Sequence, residues 1–384
     1  MNIRPTYAEI DLDAYYGNIS NIKKAAGDAE VCAVVKANAY GHGSRELVPV
    51  ALEAGASRLA VAFLDEAVEL RNAGITAPIL ILGCTPPDQM KEAVEEDITL
   101  TVFDYETVSQ LNEIASSLKK TAKVHVKLDT GMGRLGYTDK GAAINDIERM
   151  SLLKNIEVEG LFTHFAAADT ADKAYTEIQF GLFMDVADGL KARGIEIPVK
   201  HVSNSAAILD LPGMRLDMVR AGIMQYGYYP SDEVKHTVDI KPVMILKSAV
   251  AYVKTLPAGC SISYGRRFTT KRYSVIATIP VGYADGFTRL RSGKAKVIIN
   301  GEFADVVGNI CMDQCMADVT GAGDVTAGDE VILMGSQGGR KIDADDIAGD
   351  IGTISYEILC GISRRVPRIY IRDGKIIKTI NYLL

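Results

Sequence analysis

A rhythm of eight short aliphatic or β-branched runs, separated by longer charge-bearing stretches, fills the first 225 residues and constrains the fold more than any other feature. Strands that alternate with helical stretches lie parallel in one sheet, because each crossover helix returns the chain to the same end. The expected strands are 31–36 (VCAVVK), 59–63, 79–82, 98–102, 123–128 (KVHVKL), 158–163, 199–203 and 217–222 (DMVRAG). Stretches such as SRELVPVALEAG, DEAVELRNAG and AYTEIQFGLFMDVADGLKARG read as the helices between them, and each ends at a glycine suited to a helix C-terminus. Eight units in this length fit a closed (β/α)8 TIM barrel better than an open doubly wound sheet, which stays as the structural alternative.

After about residue 240 the pattern changes to consecutive strand-like runs with turn residues between them, from VMILKSAVAYVKTL to DEVILMG, with one late helix expected around Asp345 to Cys360. The expected organisation is a barrel over 1–240 and a smaller, mostly β C-terminal domain over 241–384. A chain of 384 residues, 48% hydrophobic and 24% charged, has the composition of a globular protein with more than one domain. A net charge of −7 without a basic stripe argues against nucleic acid as a partner. MNIRPTYAEIDLD lacks the apolar core of a signal peptide, and no apolar run nears the roughly 18 residues of a membrane span, so a cytoplasmic location with no membrane partner is expected. Of six cysteines, expected to be reduced, Cys311 and Cys315 come nearest to a pair; no second pair accompanies them, and no metal site is expected.

A barrel carries its chemistry at the C-terminal ends of its strands. There the first strand reaches Lys36 and then ANAYGHG, the fifth leads into DTGMGRLG, the sixth ends at Thr163-His164, the seventh runs into Ser203-Asn204-Ser205, and the eighth carries Arg220-Ala221-Gly222-Ile223. Five apolar residues before Lys36 would desolvate its amine and favour the neutral, nucleophilic form. A lysine that snorkels to water from a strand end is the plainer alternative. Gly222, Ile223 and Ser205 offer donors where barrels often bind phosphate, and Tyr40 adds a hydroxyl. A Schiff-base lysine facing a phosphate pocket is what pyridoxal 5′-phosphate requires. His125 and His201 read as core or hydrogen-bonding residues, and His164 as a group that tunes an acid or base.

AVVKANAYGHG, KLDTGMGRLG, HVSNSAA, RAGI, SYGRRF, VGYADG, GNICMDQ and ISYEI, spread over nearly the whole chain, together resemble the alanine racemase family. The resemblance implies a homodimeric pyridoxal phosphate enzyme that interconverts L- and D-alanine with two bases and supplies D-alanine for peptidoglycan. It implies that Lys36 holds the cofactor and acts as one base, while Tyr264 acts as the other from the partner subunit's side of a shared active site. His164 would neighbour that tyrosine, and Arg220 would bond the pyridine nitrogen. Tyr40, Ser205, Gly222, Ile223 and Tyr356 resemble the phosphate-binding set. Arg134 resembles the contact to the cofactor's phenolic oxygen and the substrate carboxylate, and Lys127 a position carbamylated in many members. Met312 and Asp313 resemble residues near that carboxylate, and Tyr283 a gate at the entrance.

Two neighbouring activities share the pattern: a serine or broad-range racemase, since a small pocket excludes an added hydroxyl poorly, and an amino-acid decarboxylase of the same fold class, against which Arg220 argues. A non-catalytic cofactor carrier needs Lys36 alone, and the second domain with Tyr264 argues against it.

Overall fold

The computed structural model describes residues 4–384, so the first three residues of the segment read for a signal peptide lie outside the described residues. Strand β1 (Tyr7–Asp11) opens the chain. Eight parallel strands follow: β2 (Glu30–Val34), β3 (Arg58–Val61), β4 (Ile79–Ile81), β5 (Thr99–Val102), β6 (Ala122–Lys127), β7 (Ile156–Phe162), β8 (Val199–His201) and β9 (Met218–Ala221). Their order is β8-β7-β6-β5-β4-β3-β2-β9. Bonds from Asp217 N–H to the Lys200 carbonyl (3.1 Å) and from Arg220 N–H to the Ser203 carbonyl (2.9 Å) join the two ends. The eight-stranded α/β barrel expected from the sequence is therefore present.

Most barrel strands are buried along nearly their whole length, as expected where helices cover the sheet. The crossover helices begin and end on local signals. Asp104 and Asp139 accept the N–H of Thr107 and Ala142 at 2.6 Å each. Gly55, Gly74 and Gly194 follow helix ends with positive φ.

The second compact unit is built on an eleven-stranded sheet. Its main path runs through Tyr252–Leu256, Ser274–Ile279, Cys315–Asp318, Glu302–Val306, Lys296–Ile299, Glu330–Gln337, Met244–Ala249, β1, Arg368–Arg372 and Lys375–Ile380. Strand β1 and the turn Tyr40–Gly43 group with Pro242–Leu384 in this unit, while 14–39 and 44–241 form the barrel unit. The division expected at 240/241 thus leaves out two earlier segments. β1 pairs antiparallel with Met244–Ala249 and parallel with Arg368–Arg372, which places it outside the barrel. The single late helix expected near Asp345 to Cys360 is two, Ala344–Ile351 and Ser355–Cys360, separated at Gly352 with φ 74°.

Candidate active site

Within the barrel, Lys36 stands two residues beyond β2, at the entry to a left-handed turn. Ala37, Asn38 and Ala39 have φ of 53°, 53° and 52°, and Tyr40 follows at 51°. Side chains are crowded against the backbone in this region, at a cost of about 1–2 kcal/mol per non-glycine residue, so the surroundings must hold the turn. They do so through Glu66, whose carboxylate accepts the N–H of Ala37 (2.6 Å) and of Ala62 (2.8 Å). Asn38 Oδ1 accepts the Ser44 N–H at 2.9 Å.

Arg220 on β9 is 3% exposed. One terminal nitrogen donates to His201 Nδ1 (2.8 Å) and the His201 carbonyl (3.0 Å). The other donates to the Thr163 (2.9 Å) and Val202 (3.1 Å) carbonyls and lies 3.3 Å from His164 Nδ1. Nε has no hydrogen-bond partner among the described residues, so one donor stays available to a ligand. Burial pulls the group down to about 10, which leaves it cationic at neutral pH.

Behind Arg220 runs a buried chain whose proton positions follow from its ends. A guanidinium only donates, so His201 Nδ1 accepts and its proton sits on Nε2. His201 Nε2 then donates to His125 Nδ1 (2.8 Å), and His125 Nε2 donates to Glu159 Oε2 (2.9 Å). The chain ends there, because a carboxylate only accepts; Arg58 donates to the same oxygen at 2.9 Å. Both rings are thus neutral Nε2–H tautomers. Burial, then the Arg220 charge, pulls His201 well below its usual value, and burial chiefly lowers His125. Burial would raise the Glu159 carboxyl, but the bond from His125 and the charge of Arg58 outweigh it and hold it at about 2. Gly160 makes room for the chain, since a Cβ there would meet His125 Nδ1 at 2.4 Å.

His164, at the end of β7, is pulled well below its usual value by burial and then by the charges of Arg220, Arg134, Lys127 and Lys36. A neutral ring beside two guanidinium groups and two lysine amines marks this end of the barrel as a field suited to an anionic ligand. Lys127 on β6 is buried, its Nζ donating to the Leu128 carbonyl at 2.5 Å. Burial, helped by Arg220, lowers it to about 7. Arg134 is exposed on the following loop, which Asp129 organises by accepting the N–H groups of Gly131, Gly133 and Arg134 at 2.8–3.0 Å. Ser205 Oγ accepts the Gly222 N–H at 3.0 Å, which leaves its own hydroxyl proton to donate. Ile223 opens a single helical turn, so its N–H has no acceptor inside that turn. The barrel thus brings Lys36, Lys127, Arg134, His164, Ser205, Arg220, Gly222 and Ile223 to one end.

The remaining expected residues lie in the second unit. Tyr40 and Tyr356 pack with ring centroids 5.9 Å apart. Tyr264 sits in a turn between Ser263 and Gly265, both at positive φ; its carbonyl accepts from Asn309 Nδ2 at 2.6 Å and the residue is 71% exposed. Tyr283 and Met312 belong to adjoining loops tied by Tyr283 N–H to Cys311 carbonyl (3.1 Å) and Ala284 N–H to Met312 carbonyl (3.0 Å). Both side chains are exposed, and Asp313 accepts from Arg365 at 2.8 Å. Gly282 permits this approach, since a Cβ there would lie 2.3 Å from the Cys311 and Met312 carbonyl oxygens. Among the described residues no group of three or more His, Cys, Asp or Glu is placed to hold a metal ion, and no helix is long and apolar enough to cross a membrane.

Sequence reasoning did not find Glu159, Arg58, Glu66 or Asp129. A glutamate inside the apolar strand IEVEGLF was the available signal for Glu159, because a buried carboxylate needs partners.

Comparison with known proteins agrees over the whole length. Residues 10–230 match the family "Alanine racemase, N-terminal domain", and 243–370 match "Alanine racemase, C-terminal domain". The chain is 53% identical to an alanine racemase of Clostridium perfringens, covering 99% of both chains. It is 50% identical to one from Clostridium novyi, over 100% of this chain and 99% of that one. The solved alanine racemase of Clostridium difficile 630 superposes with a TM-score of 0.96 at 46% identity, covering 100% of each chain. With the barrel, the β-rich second unit and this likeness together, the chain belongs to the alanine racemase family and is an isomerase.

Proposed function

We propose that the protein interconverts L- and D-alanine with pyridoxal 5′-phosphate bound at the cationic end of the barrel, and that two bases act on opposite faces of the substrate. The observation that carries this reading is Arg220, a buried guanidinium whose terminal nitrogens are all engaged and whose Nε is left to donate. That donor fits an unprotonated pyridine nitrogen, where a carboxylate would suit a protonated one. The fit extends to the phosphate: the Ser205 hydroxyl, Gly222 and Ile223 supply donors in the field of the Arg220 and Arg134 guanidinium groups, and Tyr40 and Tyr356 are assigned to the same group.

Lys36 would hold the cofactor covalently, and the bound cofactor would serve as an electron sink for the charge left when the α-proton departs. An arginine at the pyridine nitrogen weakens that sink and disfavours side reactions that need a long-lived carbanion. Lys36 is assigned the α-proton on the D side and Tyr264, delivered to the site of a partner subunit in a homodimer, the α-proton on the L side. A tyrosine titrates near 10 in water, so nearby positive charge must assist it. Arg134 is assigned to the substrate carboxylate, with Met312 and Asp313 beside it and Tyr283 at the entrance. Lys127 has the neutral amine fraction that attack on carbon dioxide requires. Loss of a proton then leaves a carbamate anion that would pair with Arg134. In a cytoplasmic setting the D-alanine would feed peptidoglycan.

The test is Tyr264→Phe. Cofactor binding should be retained while turnover from L-alanine falls by orders of magnitude; unchanged turnover would falsify the role given to Tyr264.

A further inference from the structure

We propose that Glu66 is a positioning residue for Lys36, fixing the left-handed turn that sets the direction of the lysine side chain. The inference rests on the reading of Lys36 as the residue that holds the cofactor.

The peptide that joins Lys36 to Ala37 carries the Lys36 carbonyl and the Ala37 N–H in one plane. Glu66 accepts that N–H at 2.6 Å, so it fixes the plane and with it ψ of Lys36. The same carboxylate accepts the Ala62 N–H at 2.8 Å, one residue past β3. β2 and β3 are paired neighbours, and Val35 N–H donates to the Ala60 carbonyl at 2.8 Å. Glu66 therefore ties the peptide after Lys36 to the end of the adjoining strand, and both its oxygens are used.

A helix-capping role accounts for only part of this. Glu66 is the third residue of the helix Leu64–Asn72, whose N-cap, Phe63, offers no side-chain acceptor. A glutamate at that position ordinarily reaches back to the N-cap N–H. Here it reaches one residue further and also across to Ala37, a contact that the helix itself does not need. Glutamine at this place cannot make both bonds: its amide nitrogen would face an N–H, so one of the two is lost.

The experiment compares wild type, Glu66→Gln and the double variant Glu66→Gln with Phe63→Ser, in which the serine supplies a new N-cap for the helix. Each full-length protein is titrated with pyridoxal 5′-phosphate. Each is then reduced with borohydride, and the fraction of Lys36 carrying the pyridoxyl group is read by peptide mass spectrometry; thermal unfolding is followed in parallel. The proposal expects cofactor affinity to fall about tenfold or more, as for a lost charge-assisted hydrogen bond, and the labelled fraction to drop in both variants even where the serine restores the unfolding temperature. Wild-type affinity and labelling in Glu66→Gln, or full recovery of both in the double variant, would overturn it and leave Glu66 as a helix cap. A wild-type label on another lysine would instead overturn the reading of Lys36 and the proposal with it.

Discussion

Replacing Glu159 by alanine removes the terminus of the chain that runs from Arg220 through His201 and His125. Arg58 and the His125 Nε2–H both lose the oxygen they share, in a place where Glu159 is 7% exposed. Breaking one partner of a buried ion pair costs about 3–5 kcal/mol. The same contacts, seen as a carboxyl moved from 4.5 to about 2, correspond to about 3 kcal/mol at neutral pH, at 1.36 kcal/mol per pH unit. The sign follows from a depressed folded-state value, so the contribution is complete well above 4.5 and is lost as pH falls towards 2. Urea unfolding followed by circular dichroism should therefore show Glu159→Ala less stable by about 3–5 kcal/mol at pH 7, with the gap narrowing below pH 4. Glu159→Gln, which keeps an acceptor at the shared point, should fall between. A difference under about 0.5 kcal/mol at pH 7, the range of an ordinary surface change, or one that widens on acidification, would refute the argument.

Nitrogen-15 NMR of labelled histidine should find His125 and His201 both neutral with the proton on Nε2; an Nδ1–H signal from either breaks the deduced chain. Because burial lowers His201 well below its usual value, the unfolded chain takes up its proton first. Stability should then fall by about 1.4 kcal/mol per pH unit below about 6.5 on account of this ring, and His201→Phe should flatten the slope between pH 6.5 and 5; an unchanged slope contradicts it. Gly136→Ala would set a Cβ 2.5 Å from the Asp129 nitrogen and 2.9 Å from the Lys127 carbonyl oxygen, with φ at 124°. Turnover should drop at least tenfold, since a misplacement of about 1 Å near a site costs about a hundredfold; full activity would show that the loop carrying Arg134 tolerates displacement.

The eight barrel strands were legible because parallel strands covered on both faces are short, nearly unbroken apolar runs, as in VCAVV and ILIL. Strand β1 was not. In YAEID only Ala8 and Ile10 are buried, and Ala8 pairs with Leu246, so the register is set by a distant segment. The closing hairpin, Arg368–Arg372 with Lys375–Ile380, carries its local signal in the two-residue turn Asp373-Gly374, both at positive φ. The barrel-end residues could be named because strand ends are the places where such a fold exposes side chains. Glu159 and Glu66 could not, since each is defined by partners that arrive from other strands and turns: Arg58 and His125 for one, Ala37 and Ala62 for the other.

The most direct test of the two-base account is to incubate the pyridoxal phosphate-loaded enzyme with L-alanine in heavy water, then separate the enantiomers early and weigh each. The account predicts D-alanine carrying one deuterium at Cα, because the second base returns a solvent-derived proton, while recovered L-alanine stays largely protiated. An absence of D-alanine from enzyme that has bound the cofactor, or deuterium entering the recovered L-alanine as fast as it enters the product, would contradict it.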